Sequence, residues 1–178
     1  MNFVGILETD RWASESWTQQ GTHAECHADV EGWHDEVHEL IASITQPYKW
    51  ALMARPPLSQ WTQGCVTLLG DAAHPTLPFL AQGAVMAIED GFILSRAFEA
   101  EDGDAHQALL RYEAARRDRA RQIVEKSTVN GRRFHNPALA DAVGATAYVD
   151  SEWSPAKVKQ RYEWLFRYRG TRRQFEPL

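Results

Sequence analysis

Cys65-Val66-Thr67-Leu68-Leu69-Gly70 is a short apolar run with little polar alternation. Such a run predicts a strand buried on both faces, as in a parallel sheet. Asp71 stands at its C-terminal end, and His74-Pro75, Pro78 and Gln82-Gly83 follow. A helical stretch then runs from about Gln82 to Ala100. In open α/β sheets, ligands collect beyond the C-terminal ends of strands. A helix start presents unpaired N–H groups and partial positive charge. The segment therefore sets a carboxylate suited to a sugar hydroxyl beside a helix start suited to an anion.

The flanking segments supply further elements. Residues 2–8 read as a strand, which needs a partner because an open edge exposes unsatisfied backbone groups. Residues 23–31 read as a short helix. Val37, Leu40, Ile41 and Ile44 recur at i, i+3, i+4 and i+7, which predicts a helix over 34–45 that stops before Pro47. Tyr48 to Arg55 reads as a strand halted by Pro56-Pro57. A long helix is predicted over about 104–129, with Leu109, Leu110, Ile123 and Val124 on or near one face. Further helices are predicted over 137–147 and 155–167. The expected fold class is α+β: a mixed sheet in the first 60 or so residues, one strand near 65–71, then long helices.

With 178 residues, 44% of them hydrophobic and 24% charged, the composition is that of a globular chain. Seven Trp predict a large core or a pocket for a flat ligand. The net charge of −5 gives no sign of a nucleic-acid surface, and no apolar run is long enough to span a membrane. Cys26 and Cys65 do not make a disulfide framework, and the N-terminus is a poor signal peptide, so a cytoplasmic location is expected.

Gly70-Asp71-Ala72-Ala73-His74-Pro75, followed by Pro78 and Gln82-Gly83, resembles the second FAD-binding motif of the flavoprotein aromatic hydroxylases, most closely the salicylate hydroxylase-like group. Glu15-Ser16-Trp17-Thr18, Lys49-Trp50-Ala51-Leu52, Arg55-Pro56-Pro57-Leu58 and Trp61 extend the resemblance, which covers about residues 2–125. It implies a fragment of an FAD/NAD(P)-binding α/β fold, with FAD as cofactor, NAD(P)H as co-substrate and a small aromatic substrate. Gly70, Asp71, Pro78, Ala81, Gln82, Gly83 and Ala84 would then bind the cofactor. Asp71 would accept from the ribityl chain, and amides near Gln82 and Gly83 would face the flavin N1–C2=O edge. Phe79 would form an apolar wall on the substrate side. For Arg55 two uses stay open, approach to the flavin or a substrate carboxylate, or a structural ion pair. The resemblance divides the chain into a substrate-domain part (1–62), a C-terminal part of the FAD-binding domain (63–130) and a helical region (131–178).

No Gly-x-Gly-x-x-Gly occurs among the eleven glycines. That motif would seat the FAD pyrophosphate on a helix N-terminus. The resemblance also implies a His and a Tyr just before the segment that Asn2-Phe3-Val4 resembles, as a base for a phenolic substrate; they are unmatched here, so no catalytic residue is assigned. The chain therefore reads as the C-terminal portion of such a hydroxylase, with an incomplete FAD site, weak or no FAD binding on its own, and apolar surface that favours self-association or a missing N-terminal half. The alternative is a truncated, non-catalytic fragment or interaction module without bound cofactor.

Two other groups compete for attention. His23, Cys26 and His27 can share a helical face, as can His34 and His38, but no fourth ligand stands at structural-site spacing, and no metal site is expected. Arg111, Arg116, Arg117, Arg119 and Arg121 could meet phosphates. With Glu113 and Asp118 interleaved, they read better as a solvated helix face.

Overall fold

The structure, a computed structural model, describes residues 3–9, 16 and 18–170, so Asn2, Glu15 and Trp17 of the segments above lie outside the described residues. The chain divides into two compact units, Met1–Leu52 and Met53–Leu178.

The first unit is built on two short helices. Helix α1 (His23–Asp29) opens with a capping box: the Thr22 side chain accepts from the Glu25 N–H, and the Glu25 carboxylate accepts from the Thr22 N–H at 2.8 Å. Lys49 Nζ donates to the same carboxylate at 2.7 Å. The Lys49 bond, then the Thr22 bonds, hold the Glu25 carboxyl down at about 2. Helix α2 (Asp35–Ala42) starts on His34, whose ring accepts from the Glu36 N–H. It buries Ile41 and half-buries Val37 and Leu40, so the predicted apolar face is present.

The expected strands of this unit do not form among the described residues. Residues 3–9 have no regular secondary structure, and Phe3, Val4, Ile6 and Leu7 are exposed. From the 48–55 segment only Tyr48 pairs, in a single antiparallel bridge to Gln20. Extended chain becomes a strand only where a second edge supplies its hydrogen bonds. The mixed sheet expected from the first 60 residues is accordingly absent among the described residues.

In the second unit, β1 (Thr62–Gln63) and β2 (Val66–Thr67) form an antiparallel hairpin, Thr62 opposite Thr67. Gly64 takes φ +60 in its turn, a conformation that glycine adopts without penalty. The strand expected to be buried on both faces is therefore a two-residue arm with one partner, and Val66 is 68% exposed. Its apolar residues do not identify a parallel sheet, because periodicity cannot tell burial by a sheet from burial by a helix. Here the covering element is a helix: Tyr112 Oη donates to the Leu68 carbonyl at 3.2 Å, and Glu113 accepts from the Thr62 N–H at 2.8 Å.

Two 3₁₀ turns, Gly70–Ala72 and Pro78–Leu80, lead into α3 (Gly83–Ala100). Helix α4 (Ala105–Phe134) follows, begun by the Asp104 side chain on the Gln107 N–H. These two helices form the centre of the unit. Ala108, Tyr112, Arg116, Ala120, Ile123 and Ser127 lie fully buried along one stripe of α4, against Met86, Ile93 and Ala97 of α3. Leu109 and Val124 are buried as expected, whereas Leu110 is 42% exposed, one step outside the stripe. The 3₁₀ turn Pro137–Ala140 and helices α5 (Ala142–Glu152) and α6 (Pro155–Phe166) complete the unit, and Leu165 of α6 joins the core. The described chain is mostly helical with one two-stranded sheet. Among the described residues, no helix is long and apolar enough to cross a membrane.

Candidate functional site

An open recess of about 510 Å³ lies at the start of α3, lined by Asp71, Thr76, Pro78, Ala81, Gln82, Gly83, Ala84 and Ala87. Six of the nine residues singled out in the sequence thus line one hollow. Its floor is a helix tip that no side chain caps among the described residues. The amides of Gln82, Gly83, Ala84 and Val85 precede the first intrahelical bond, which Met86 N–H makes to the Gln82 carbonyl at 2.8 Å. Ala81 adopts a left-handed conformation, φ 52 and ψ 38, without being glycine. Such a residue costs about 1–3 kcal/mol and persists where its surroundings fix it.

The fixing groups come from α4. Ser127 Oγ donates to the Leu77 carbonyl at 2.6 Å, and Asn130 Nδ2 donates to the Phe79 carbonyl at 2.7 Å. Gly131 lets the Phe79 ring lie on the helix: a Cβ there would stand 2.6 Å from a ring carbon. Phe79 packs between Phe134, at 6.1 Å, and His135, edge-on at 5.4 Å, and is not among the residues lining the recess. Gly70 is buried below the recess with φ +59 and does not line it. Arg55 is exposed and donates to the Ala72 carbonyl, one residue from Asp71.

Beneath this loop lies a buried ionic network that the sequence reading missed. Asp90 of α3 is fully buried and accepts three bonds: from Gly70 N–H at 3.0 Å, His74 Nε2 at 2.6 Å and Arg116 Nε at 2.7 Å. Arg116, also fully buried, pairs with Glu89 at 2.8 Å, and Arg119 binds Glu89 through two bonds of 2.8 Å. His74 thus lies in the loop between the two 3₁₀ turns with its side chain buried in the core. Its Nδ1 is buried and meets no hydrogen-bond partner among the described residues. The solvated-face reading of the arginine run also needs correction: it holds for Arg117 and Arg121, but Arg116 and Arg119 point inward. A signal existed in the register, since Asp90 occupies the face that carries Met86, Ile93 and Ala97.

Burial works to raise the Asp90 carboxyl, but its bonds to His74 and Arg116 outweigh that and hold it below the usual carboxylate range. A carboxyl that is more acidic in the folded chain stabilises the fold fully above its unfolded value, about pH 4, and loses that contribution as pH falls through the folded value. We expect the urea midpoint to drop in acid below about pH 4, and to drop less steeply in Asp90→Asn. Identical pH slopes in the two proteins would refute the assignment.

The histidines of the first unit are placed differently from a ligand set. His27 Nδ1 and His38 Nδ1 lie 2.9 Å apart in stacked rings, and His23 Nε2 meets the Ile44 carbonyl at 2.6 Å. Among the described residues, no group of three His, Cys, Asp or Glu side chains is placed to hold a metal ion.

With this geometry in view, the family model described as an FAD binding domain matches residues 2–127. The chain belongs to this FAD-binding family, that of the FAD-dependent aromatic monooxygenases. Among the curated members it resembles, a 3-amino-4-hydroxybenzoate 2-monooxygenase of Streptomyces platensis is 39% identical over 137 residues, covering 77% of this chain and 35% of that protein. A 6-hydroxynicotinate 3-monooxygenase of Bordetella bronchiseptica is 41% identical over 128 residues, covering 71% and 33%. A salicylate hydroxylase solved as a substrate complex superposes with a TM-score of 0.70 at 27% identity, covering 90% of this chain and 38% of that one. HpxO of Klebsiella pneumoniae, solved with FAD and uric acid, superposes with a TM-score of 0.61 at 29% identity, covering 80% and 36%. The chain spans about a third of the length of the curated relatives it matches.

Proposed function

We propose that this chain forms part of an FAD-dependent, NAD(P)H-using monooxygenase that hydroxylates a small aromatic compound of the salicylate or hydroxybenzoate kind. The observation that carries the reading is the shared recess: Asp71 and the uncapped start of α3 line the same hollow. Its volume is in the range of small-molecule sites. The donor set suits a flavin, with one carboxylate for ribityl hydroxyls and a row of amides for an edge that becomes anionic on reduction. Relatives that the chain resembles act on hydroxybenzoates and hydroxynicotinate, as their names state.

In this reading, residues 63–130 belong to the FAD-binding domain, 1–62 to the substrate side and 131–178 to an accessory helical region. Bound FAD supplies the redox chemistry that activates oxygen. The chain's own residues bind and orient. Asp71 accepts from the ribityl chain, with Gly70 giving it a tight turn. Pro78 and Ala81 flank the ring. The amides of Gln82, Gly83 and Ala84 favour negative charge at the ring edge, by roughly 0.3–1 kcal/mol if exposed and up to about 2 if partly buried. Phe79 and Arg55 are proposed on the substrate side from the family resemblance. The free cysteines, Cys26 and Cys65, suit a reducing cytoplasm.

The 178 residues contain no Gly-x-Gly-x-x-Gly, so FAD should bind this chain weakly. In a flavin fluorescence titration, Asp71→Ala should weaken that binding by roughly tenfold or more, the worth of one hydrogen bond to a charged acceptor. Stoichiometric FAD retained through purification would overturn the weak-binding statement. Equal affinity in the Asp71→Ala variant would overturn the role of the carboxylate.

A second reading is a non-catalytic interaction module. It rests on an apolar ridge along α3, where Val85, Ile88 and Phe92 are 42%, 74% and 44% exposed. A ridge of that kind suits self-association or the docking of further polypeptide. A weak flavin affinity that Asp71→Ala lowers separates the first reading from this one, which expects no flavin affinity that depends on Asp71.

A further inference from the structure

A second recess, of about 450 Å³, opens between α4 and the α5–α6 segment, and its lining is unusually cationic. Lys126 and Arg133 of α4 face it, together with Lys157 and Arg161 of α6. Among the described residues that line it, Glu152 is the one carboxylate. It is already engaged, receiving Lys157 Nζ at 2.9 Å and Arg161 Nη2 at 2.9 Å. The Lys157 hydrogen bond, with the charges of Arg161 and Arg133, holds its carboxyl below the usual range. Among the described residues, Lys126 is not paired with a carboxylate; its ammonium lies 4.6 Å over the Trp164 ring.

A further observation concerns a donor. Arg161 Nη1 is buried and has no hydrogen-bond partner among the described residues. That nitrogen is closed off from solvent, and its guanidinium lies 5.3 Å from the Trp153 ring, so Arg161 adds fixed positive charge to the wall rather than an open donor. An acceptor with several oxygens and more than one negative charge would balance the surplus of cations that Lys126, Arg133, Lys157 and Arg161 leave over Glu152. Phosphate has both properties, and guanidinium groups match it in geometry. Trp164 and Val129 give the same recess an apolar side for an organic body.

We propose that this recess binds the phosphate group of a small organic phosphate. The site is distinct from the Asp71 recess: the two share no lining residue. It does not rest on the flavin reading.

The test is titration calorimetry of the full chain with adenosine 5′-monophosphate and inorganic pyrophosphate, and with benzoate as a singly charged control. Adenosine monophosphate and pyrophosphate should bind the unaltered chain, and benzoate more weakly. Lys126→Gln and Arg133→Gln should each weaken phosphate binding by roughly tenfold, whereas Asp71→Ala should leave it unchanged. Lys126→Arg keeps the charge and should bind within about twofold of the unaltered chain, which guards against a loss caused by misfolding. Circular dichroism checks that each variant is folded. Absence of binding by both phosphates overturns the proposal, as an acidic protein partner for this surface would produce. Full affinity in both glutamine variants overturns it as well, and so does benzoate binding as tightly as adenosine monophosphate. An effect of Asp71→Ala on phosphate binding would place the ligand in the other recess.

Discussion

Arg116→Met should destabilise the second unit by about 3–5 kcal/mol, the range for removing one member of a buried ion pair. The side chain is fully buried, and its guanidinium serves Asp90, Glu89, the Tyr168 hydroxyl at 3.0 Å and, weakly, the Met86 carbonyl at 3.5 Å. Methionine preserves much of the stem volume, so the loss reports the charge rather than a cavity. What it leaves behind is a buried Asp90 carboxylate that keeps Gly70 and His74 but has lost its permanent cation. Adding Asp90→Leu to the same chain should return part of the loss, because a buried pair replaced by apolar groups is often close to neutral. Urea unfolding of the single and double variants measures both. A single-variant loss under about 1 kcal/mol, or a double variant no more stable than the single, would show that the network contributes little beyond its packing.

Ile93→Ala should cost about 2–5 kcal/mol, whereas Ile88→Ala, on the same helix, should change stability by no more than about half a kcal/mol. Ile93 is fully buried in the core with Met86 and Ala97, and Ile88 is 74% exposed. The removed atoms are alike in the two cases, so the difference isolates burial. The Ile93 site has little room to collapse, since Tyr112, Ala120 and Ile123 of α4 belong to the same cluster. Denaturant midpoints at fixed m decide the matter. Equal losses would mean that α3 is rotated from the orientation described, with its ridge buried and its core face open.

The helices were legible before the structure because each carries its own evidence. The spacing of Val37, Leu40 and Ile41 identified α2, and the α3 and α4 segments were placed to within a few residues at their starts. Helix α4 runs past the expected end near Val129 to Phe134, with Gly131 tolerated inside it as the seat for Phe79. Strands are harder because their evidence lies in a partner. Nothing in Phe3-Val4-Gly5-Ile6-Leu7 says whether an edge is available, and the segment forms no strand among the described residues. The Asp71 recess was legible as a carboxylate followed by a Pro-braced loop and a helix start. The Asp90 network was not, because its members stand far apart in the chain and each alone resembles a surface residue. Only their position among apolar neighbours at helical spacing betrays them, and charged residues are so rarely buried unpaired that a core-register Asp calls for a search for its cation.

The loop before α3 is braced from behind by Ser127 and Asn130, side chains of a helix that is itself anchored in the core. Its amides are thus aimed before anything arrives. A guest meets a surface whose ordering entropy was settled when the polypeptide folded, so little of the encounter's free energy is diverted into stiffening the host.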